Sequence, residues 1–447
     1  MTTIENHQYC SLEKEKTNKV LMMAYYFPPC NTGFAIRVSC FVKYLPISNW
    51  IPTVVTVDPK YYALSLSNVT PLDILDNIKM YRTKSLLPST EGVAKTVLRS
   101  NNGIARLAYK LLSYIRRVLM IPDDKIGWIY PGLRKALQVA RENDLKALFA
   151  TAPPYSTLLF AALAKKMTNL PLVIDIRDNW SKDPIRSSRT GFLKKLEDQL
   201  EEWVLTSANA IVLATEASYN DYLMRFPYLK AKMYLIPNGY DDISMAEIGA
   251  RYMSEPSDFI ITHAGTLDSI RNPLSFLQAI SESVNIEPEL KHNLKIWLIG
   301  YIKTEYENEI NKMNLSSIVK CFGMLPHDQC VEKLFASSVF LLIPSKGIDT
   351  AIPGKVYEYM YIGKPILCLA EDGAAKDFIS SNKLGIVKHQ DDVEGIRNAI
   401  LDFYSKYKSG QLEIPQNEEL KKRYSRRNLT LSLCQILDHI TKEEISG

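Results

Sequence analysis

The chain is built around the segment Ile352-Pro-Gly-Lys-Val-Tyr-Glu-Tyr-Met360, followed by Gly363-Lys-Pro-Ile-Leu367. Its pattern predicts a loop, a helix, a tight turn and a buried strand, in that order. Pro353 suits the first position of a helix, where no partner for an amide is needed. The segment therefore predicts a helix that leads directly into a core strand.

The start of this predicted helix carries groups that favour an anionic ligand. Gly354 lets a ligand approach the backbone closely, and the free amides and dipole of a helix start bind anions. Lys355 adds a full positive charge, and Glu358 lies about one turn further along. Together these groups fit a ligand with a phosphate at one end and hydroxyls at the other, such as a nucleotide sugar. The alternative is a capped helix that only precedes a core strand.

Length and composition limit the class of protein. A chain of 447 residues is long enough for two ordinary domains, and its 46% apolar and 23% charged residues fit a soluble globular protein. The net charge of +5 is mild, so we expect no nucleic-acid partner. The seven cysteines form no CxxC pair, which favours a reduced, cytoplasmic setting. The six histidines are scattered, so we expect no metal site. No segment approaches the ~20 apolar residues that span a bilayer.

Residues 1–241 predict a first α/β domain. A loop with one glycine, Gly33, separates its first strand from a helix, which is typical of a doubly wound fold. Asp178 stands where a predicted strand meets its loop, and ligands gather at that end of open α/β sheets. Asp178 is therefore placed for chemistry or for acceptor binding, whereas Asp175 and Arg177 are also compatible with a structural ion pair. The predicted strands are 20–27, 51–57, 147–150, 171–178, 210–214 and 233–236.

Residues 242–415 predict a second α/β domain after a polar connection at 242–256. A final helix is predicted at 421–439, and we expect the segment 416–447 to pack back on the first domain. The fold class is therefore α/β, with two doubly wound, Rossmann-like domains facing each other across a cleft. The predicted strands of the second domain are 259–263, 294–299, 319–322, 339–343, 366–369 and 385–387.

Residues 79–135 differ in character, because they contain twelve Lys or Arg against three Asp or Glu. Basic residues alternate there with apolar ones at helical spacing, a pattern that suits contact with an anionic membrane surface. The alternative is an ordinary surface helix with a basic outer face. The basic residues concerned are Arg99, Arg106, Lys110, Arg116 and Arg117.

The order and spacing of several short motifs resemble the glycosyltransferases of the GT-B fold, close to family 4 and especially to bacterial surface-polysaccharide transferases. The resemblance covers almost the whole chain. The motifs are Tyr25-Tyr-Phe-Pro-Pro29, Thr151-Ala-Pro-Pro154, Asp175-Ile-Arg-Asp178, Pro237-Asn-Gly239, Ala264-Gly-Thr266, Cys321-Phe-Gly323 and the segment from Lys355 to Pro365.

The resemblance implies that the second domain binds the nucleotide sugar. Family members carry an Arg just after the glycine of the first strand of this domain; here the position is Thr266, and Arg271 occupies the second cationic position. Of two family glutamates, Glu358 matches the one that binds ribose, whereas Thr350 replaces the other. We expect Lys355 to compensate for the missing Arg. The remaining candidate donor-binding residues are Gly33, Gly265, Phe322, Gly323 and Gly354.

The resemblance places the acceptor in the first domain, with Asn31, Arg37, Tyr155 and Arg177 as candidate binding residues. Asp178, Arg271 and Lys355 are the candidate catalytic residues. Asp178 is one candidate acceptor of the hydroxyl proton, and the leaving phosphate oxygen is the other. The cations stabilise the charge on the leaving diphosphate without a metal or other cofactor.

The sequence thus predicts a retaining hexosyltransferase that moves a sugar from a nucleotide-diphosphate donor, with UDP favoured, to an acceptor hydroxyl. The expected acceptor is a lipid-linked saccharide in surface-polysaccharide synthesis, and the expected location is cytoplasmic or peripheral on the inner face of the cell membrane. The alternatives are a nucleotide-sugar epimerase of the same architecture, a transferase for small-molecule acceptors, and a catalytically dead membrane-bound scaffold.

Overall fold

The computed structural model describes residues 17–30, 33–62, 78–87, 120–180, 189–251 and 258–446, and also residues 103, 104, 107 and 111. The candidate acceptor residue Asn31 and much of the basic segment 79–135 lie outside the described residues.

The first sheet has seven parallel strands in the order β3-β2-β1-β4-β5-β6-β7. They are β1 (Asn18–Met23), β2 (Trp50–Val57), β3 (Lys79–Thr83), β4 (Ala147–Ala152), β5 (Leu172–Ile176), β6 (Ala210–Leu213) and β7 (Met233–Leu235). The central strands β4 and β5 are buried along their whole length, because apolar layers pack on both faces of the sheet. The helices between the strands are Gly33–Tyr44, Ile129–Glu142, Ser156–Thr168, Gly191–Ser207 and Glu216–Arg225.

The second sheet has six parallel strands in the order β10-β9-β8-β11-β12-β13. They are β8 (Phe259–Ala264), β9 (Leu294–Ile299), β10 (Val319–Gly323), β11 (Val339–Leu342), β12 (Ile366–Leu369) and β13 (Gly385–Lys388). The accompanying helices are Asp242–Arg251, Leu274–Ile286, Leu290–Asn293, Thr304–Lys312, His327–Phe335, Lys355–Ile362, Ala374–Ser381 and Val393–Lys408. Two doubly wound α/β units are therefore present, and the fold class predicted from the sequence is confirmed.

The end of the chain returns to the first sheet. Helix Arg426–Ser446 places Leu433 and Leu437 in the same apolar layer as Val20 of β1. Trp50 Nε1 donates a hydrogen bond of 2.8 Å to Asp438 Oδ1. The last helix therefore completes one of the two layers that bury the first sheet.

Three elements differ from the sequence prediction. Residues 79–83, which were counted in the basic segment and given no strand, form the edge strand β3, whose side chains are at most partly buried and so lack a continuous apolar run. The connection at 242–256 contains the helix Asp242–Arg251. The single final helix is two helices, Glu418–Tyr424 and Arg426–Ser446, because Ser425 has extended backbone angles (φ −64°, ψ 127°).

Candidate active site

The strand order of the second sheet creates a crevice at the carboxyl ends of β8 and β11. Strand β8 lies between β9 and β11, so the loops that follow β8 and β11 leave the sheet in opposite directions, and ligands bind at such a point in open α/β sheets. The amide of Lys346 donates a hydrogen bond of 2.8 Å to the Ile270 carbonyl, which joins the two loops. Gly300 has φ +122°, and a Cβ there would lie 2.0 Å from the Gly265 carbonyl oxygen. The loop after β8 is therefore packed closely on the end of β9.

Helix Lys355–Ile362 is attached to the same crevice. The amide of Ala264, the last residue of β8, donates a hydrogen bond of 2.9 Å to the Tyr359 hydroxyl. The Tyr359 ring stacks on Phe340 of β11, with 4.2 Å between ring centroids. Gly354 precedes the helix in α-helical conformation, and a methyl group on it would meet no atom of the described residues within 4 Å. Open space therefore lies beside the start of this helix.

Lys355 and Glu358 contact each other at the helix start. Lys355 Nζ lies 2.7 Å from Glu358 Oε2, and His327 Nε2 lies 3.4 Å from Glu358 Oε1. Glu358 is only 8% exposed, so it is buried and does not lie on an open rim. Although burial opposes ionisation, Lys355 and His327 hold the pKa of Glu358 well below its usual range. Glu358 and Lys355 therefore form an ion pair with a buried carboxylate and a partly exposed ammonium group.

Arg271 and His263 lie in the same region, at the end of β8. Arg271 Nη1 is 3.2 Å from Asp268 Oδ2, and the guanidinium is about one-third exposed. His263 is buried, and its Nδ1 donates to the Leu341 carbonyl at 3.1 Å, because a carbonyl only accepts. Burial lowers the pKa of His263 to about 4, with a smaller contribution from the charge of Arg271. His263 is therefore neutral near pH 7. Thr266, which replaces the family Arg, is half-buried beside Gly265.

Phe322 and Gly323 end β10, on the other side of β9. The Phe322 ring meets Trp297 edge to face at 5.7 Å, and Lys333 Nζ lies 4.2 Å from its centroid. Gly323 has φ +66°, and its carbonyl accepts a hydrogen bond from the Gly300 amide at 2.8 Å. Contact of these two residues with a nucleotide base stays a prediction.

Thr350 joins the second α/β unit to the first. Thr215 Oγ1 donates a hydrogen bond of 2.6 Å to the Thr350 carbonyl and also accepts one from the Ser218 amide, which caps helix Glu216–Arg225. The loop that precedes Lys355 is therefore held against the end of β6. Thr350 itself is buried, and its predicted contact with the donor sugar stays a prediction.

Arg37 is engaged within the first α/β unit, and its predicted role in acceptor binding stays a prediction. Arg37 is buried and donates through Nη2 to Asp175 Oδ1 and to the Ile236 carbonyl, both at 2.8 Å, and through Nη1 to the Pro237 carbonyl at 2.7 Å. Asp175 therefore pairs with Arg37, and the alternative ion pair with Arg177 is not formed. Since all three guanidinium nitrogens are engaged within the protein, Arg37 connects β5 to the segment after β7.

Tyr155 is likewise engaged within the protein, and its predicted contact with the acceptor stays a prediction. Its ring is buried against Trp180, and its hydroxyl donates a hydrogen bond of 2.6 Å to the Asp178 carbonyl, so it orders the loop after β5. The Asp178 side chain is exposed at the end of that strand.

Gly33, at the start of helix Gly33–Tyr44, has no described atom within 4 Å of an added methyl group.

The described residues contain no group of three or more His, Cys, Asp or Glu side chains arranged to hold a metal ion. No described helix is both long enough and apolar enough to cross a membrane.

Two family models match the chain, one in each α/β unit. Residues 92–242 match the model described as Glycosyltransferase Family 4, and residues 258–406 match the model described as Glycosyl transferases group 1. The chain belongs to the GT-B glycosyltransferases and is similar to family 4. No curated protein matches it significantly.

Solved structures resemble this glycosyltransferase over nearly its whole length. HepE of Anabaena in complex with UDP has a TM-score of 0.60 at 14% identity, covering 94% of this chain and 100% of HepE. Sucrose-phosphate synthase from Thermosynechococcus elongatus has a TM-score of 0.62 at 13% identity, covering 95% of this chain and 100% of the synthase. An α,α-trehalose-phosphate synthase (UDP-forming) from Burkholderia vietnamiensis has a TM-score of 0.63 at 11% identity, covering 96% of this chain and 100% of that synthase. These likenesses show the shared fold.

Two histidines of the glycosyltransferase were missed by the sequence prediction. His327 begins helix His327–Phe335 and reaches Glu358 from 31 residues away, a contact that no local pattern reveals. His263 ends a predicted strand directly before the Ala-Gly-Thr motif, and this position in the sequence could have identified it. The histidines were judged only by their scattered spacing, so neither residue was recognised.

Proposed function

We propose that this glycosyltransferase moves a sugar from a nucleotide-diphosphate donor to an acceptor hydroxyl with retention of configuration. The observation that carries the proposal is the ion pair of Lys355 and Glu358 at a helix start beside open space. A cation and free amides suit a diphosphate, and a fixed carboxylate suits ribose hydroxyls. UDP is the favoured nucleotide, in keeping with the UDP complex of HepE and the UDP-forming synthase of similar fold.

The chemical demand of this reaction is the charge that develops on the leaving diphosphate. Arg271, Lys355 and the amides after Gly354 are the groups that stabilise this charge, and no metal is required in the proposal. Asp178 is exposed at the carboxyl end of β5 and is one candidate to accept the hydroxyl proton. The leaving phosphate oxygen is the other candidate.

The proposed acceptor is a lipid-linked saccharide, as in the synthesis of surface polysaccharides. Ile104, Leu107 and Leu111 lie in helical backbone, and spacings of three and four residues put them on one face. Their exposed fractions are 81%, 70% and 62%. In the sequence, Arg106 and Lys110 lie beside them. Exposed apolar side chains flanked by basic ones favour an anionic membrane surface at which such an acceptor is presented.

A screen of nucleotide sugars tests the proposal. The purified chain is heated with each nucleotide sugar, and the one that raises the melting temperature most is then incubated with candidate acceptors. We expect stabilisation by one donor and release of nucleotide diphosphate that increases with acceptor. Interconversion of the sugar without acceptor would instead show an epimerase. Binding of a donor without any turnover would show the catalytically dead scaffold.

A further inference from the structure

Thr215 lies where the first α/β unit meets the loop that leads to Lys355. It follows β6 and is the N-cap of helix Glu216–Arg225. Its Oγ1 accepts a hydrogen bond of 3.0 Å from the Ser218 amide and donates one of 2.6 Å to the Thr350 carbonyl. A hydroxyl has one hydrogen and two lone pairs, so both bonds form at the same time. Thr215 and Thr350 are 5% and 6% exposed, so water has little access to this contact.

The chain at Thr350 is also held from the side of the second unit. The Ala374 amide donates a hydrogen bond of 2.8 Å to the Asp349 carbonyl. Gly373 has φ +147°, and a Cβ there would lie 2.7 Å from the same carbonyl oxygen, so the two backbones approach closely. The carbonyls of Asp349 and Thr350 are therefore bound by different units, the second and the first. Residues 349–350 are a fixed point between the two.

This fixed point lies just before the helix start assigned to the diphosphate. Residues 351–353 form neither helix nor strand, and helix Lys355–Ile362 follows Gly354. The Val356 amide donates a hydrogen bond of 3.1 Å to the Pro353 carbonyl, so the turn that opens the helix begins three residues after Thr350. Such a short segment takes its course from its two ends. A displacement of Thr350 therefore moves the helix start.

We propose that Thr215 is a positioning residue for sugar transfer: through the Thr350 carbonyl, its hydroxyl holds the helix start that stabilises the leaving diphosphate. The inference rests on the proposed function, because that function assigns this helix start to the diphosphate. A residue of the first unit then belongs to the donor site without contacting the donor. Lys355 and the nearby amides act on charge that grows as the bond from sugar to diphosphate breaks. A displaced helix start therefore costs more in turnover than in affinity.

Thr215→Val and Thr215→Ser separate the hydroxyl from the rest of the side chain, because valine keeps the size and serine keeps the hydroxyl. Thr215→Val should lower turnover at saturating donor about fivefold to tenfold, on the scale of one buried hydrogen bond. Its affinity for UDP, measured by calorimetry, should stay within about threefold of the parent value, because the charged groups of the site remain. Thr215→Ser should keep turnover within about twofold, since the hydrogen bond is kept.

Loss of the helix cap needs a control of its own, because valine also leaves the Ser218 amide without its acceptor. Asp392→Ala removes the side-chain cap of helix Val393–Lys408 and should lower stability but leave turnover at the parent value. If Thr215→Val does not fold, Thr215→Asp keeps an acceptor for the Ser218 amide but, once ionised, has no hydrogen for the Thr350 carbonyl. It should lower turnover in the same way.

Hydrogen exchange tests the positioning without any turnover. The Val356 and Tyr357 amides donate hydrogen bonds at the start of helix Lys355–Ile362. They should exchange faster in Thr215→Val than in Thr215→Ser or the parent, and Asp392→Ala should leave them unchanged. Equal turnover of the parent and the folded Thr215→Val variant would overturn the inference, as would equal exchange, or a serine variant as slow as the valine variant. A parent that shows the expected exchange but transfers no sugar would instead count against the proposed function.

Discussion

Lys355 Nζ lies 2.7 Å from Glu358 Oε2, one helical turn away, and the carboxylate of the pair is buried at the start of its helix. The two residues were assigned from the sequence to opposite ends of the donor, the diphosphate and the ribose. Since they bind each other, a donor that uses both has to contact the pair as a unit or exchange the ion pair for its own groups. Substitution of either residue therefore affects stability as well as binding.

The first prediction concerns the strength of this pair. Lys355→Met should lower the free energy of unfolding by about 1.5–3 kcal/mol, because it leaves a buried carboxylate without its cation. Glu358→Gln should lower it less, because the Lys355 ammonium is partly exposed to water. The double variant should lose less free energy of unfolding than the sum of the losses in the two single variants. The exposed pair of Glu309 and Lys312, with the same spacing of three residues, is the matched control and should show a coupling below about 1 kcal/mol. Urea unfolding measures all these values.

Affinity for UDP distinguishes the donor role of Glu358 from a structural one. A folded Glu358→Gln variant should bind UDP more weakly by about 2 kcal/mol, since a charged acceptor of hydrogen bonds is lost. Unchanged affinity would contradict the assignment of ribose binding.

The second prediction concerns pH. The pKa of Glu358 is lower in the folded chain than its ordinary value of 4.5, because of Lys355 and His327. Such a carboxylate stabilises the fold above the unfolded pKa, and this contribution is lost as the pH falls below it. The parent should therefore lose stability between about pH 5 and pH 3 more steeply than the Lys355→Met/Glu358→Gln variant. Parallel curves for the two proteins would show that Glu358 does not titrate in this way.

The third prediction concerns Arg37, whose nitrogens bind Asp175 and the carbonyls after β7. Arg37→Met should destabilise the chain by roughly 3–5 kcal/mol, because it leaves a buried carboxylate without its cation. Asp175→Asn should be destabilising for the converse reason. Denaturation measures both. A stable Arg37→Met variant that has lost only acceptor binding would support the acceptor role predicted from the sequence.

The fourth prediction concerns Arg271 in the proposed metal-free mechanism. Arg271→Ala should lower single-turnover transfer by about 10²–10³ at saturating donor, on the scale of one preorganised donor in the transition state. Its ion pair with Asp268 is partly exposed, so stability should change by less than about 1 kcal/mol. EDTA should leave the parent active. Loss of activity in EDTA, or full activity of Arg271→Ala, would refute the mechanism.

The fifth prediction concerns the membrane surface. Changing Arg106, Lys110, Arg116 and Arg117 to Gln should release the protein from anionic vesicles, because each basic residue contributes about 1 kcal/mol near such a surface. Changing Lys312, Lys320, Lys376 and Lys406 of the second unit to Gln is the matched control for charge. Leu107→Ser with Leu111→Ser tests the apolar face separately. Equal flotation of parent and first variant would argue against membrane contact.

The alternation of strands and helices could be predicted from the sequence, because each buried strand is a local run of apolar residues and turn-forming residues separate these runs. It also placed Gly354, Lys355 and Glu358 together, since residues three apart share one side of a helix. The edge strand β3 escaped prediction because its residues are only partly buried and its pattern is mostly polar.

Which charged side chains pair with each other depends on the tertiary packing. Asp175 has Arg177 two positions away in the sequence, but its ion-pair partner is Arg37, 138 residues distant. His327 contacts Glu358 from a different helix. A desolvated carboxylate pairs with the cation that packing brings into hydrogen-bonding geometry, and sequence distance does not enter that balance. Arg177 was left to carbonyl oxygens with one nitrogen unused, an outcome that only the packing of β4, β5 and helix Gly33–Tyr44 could decide.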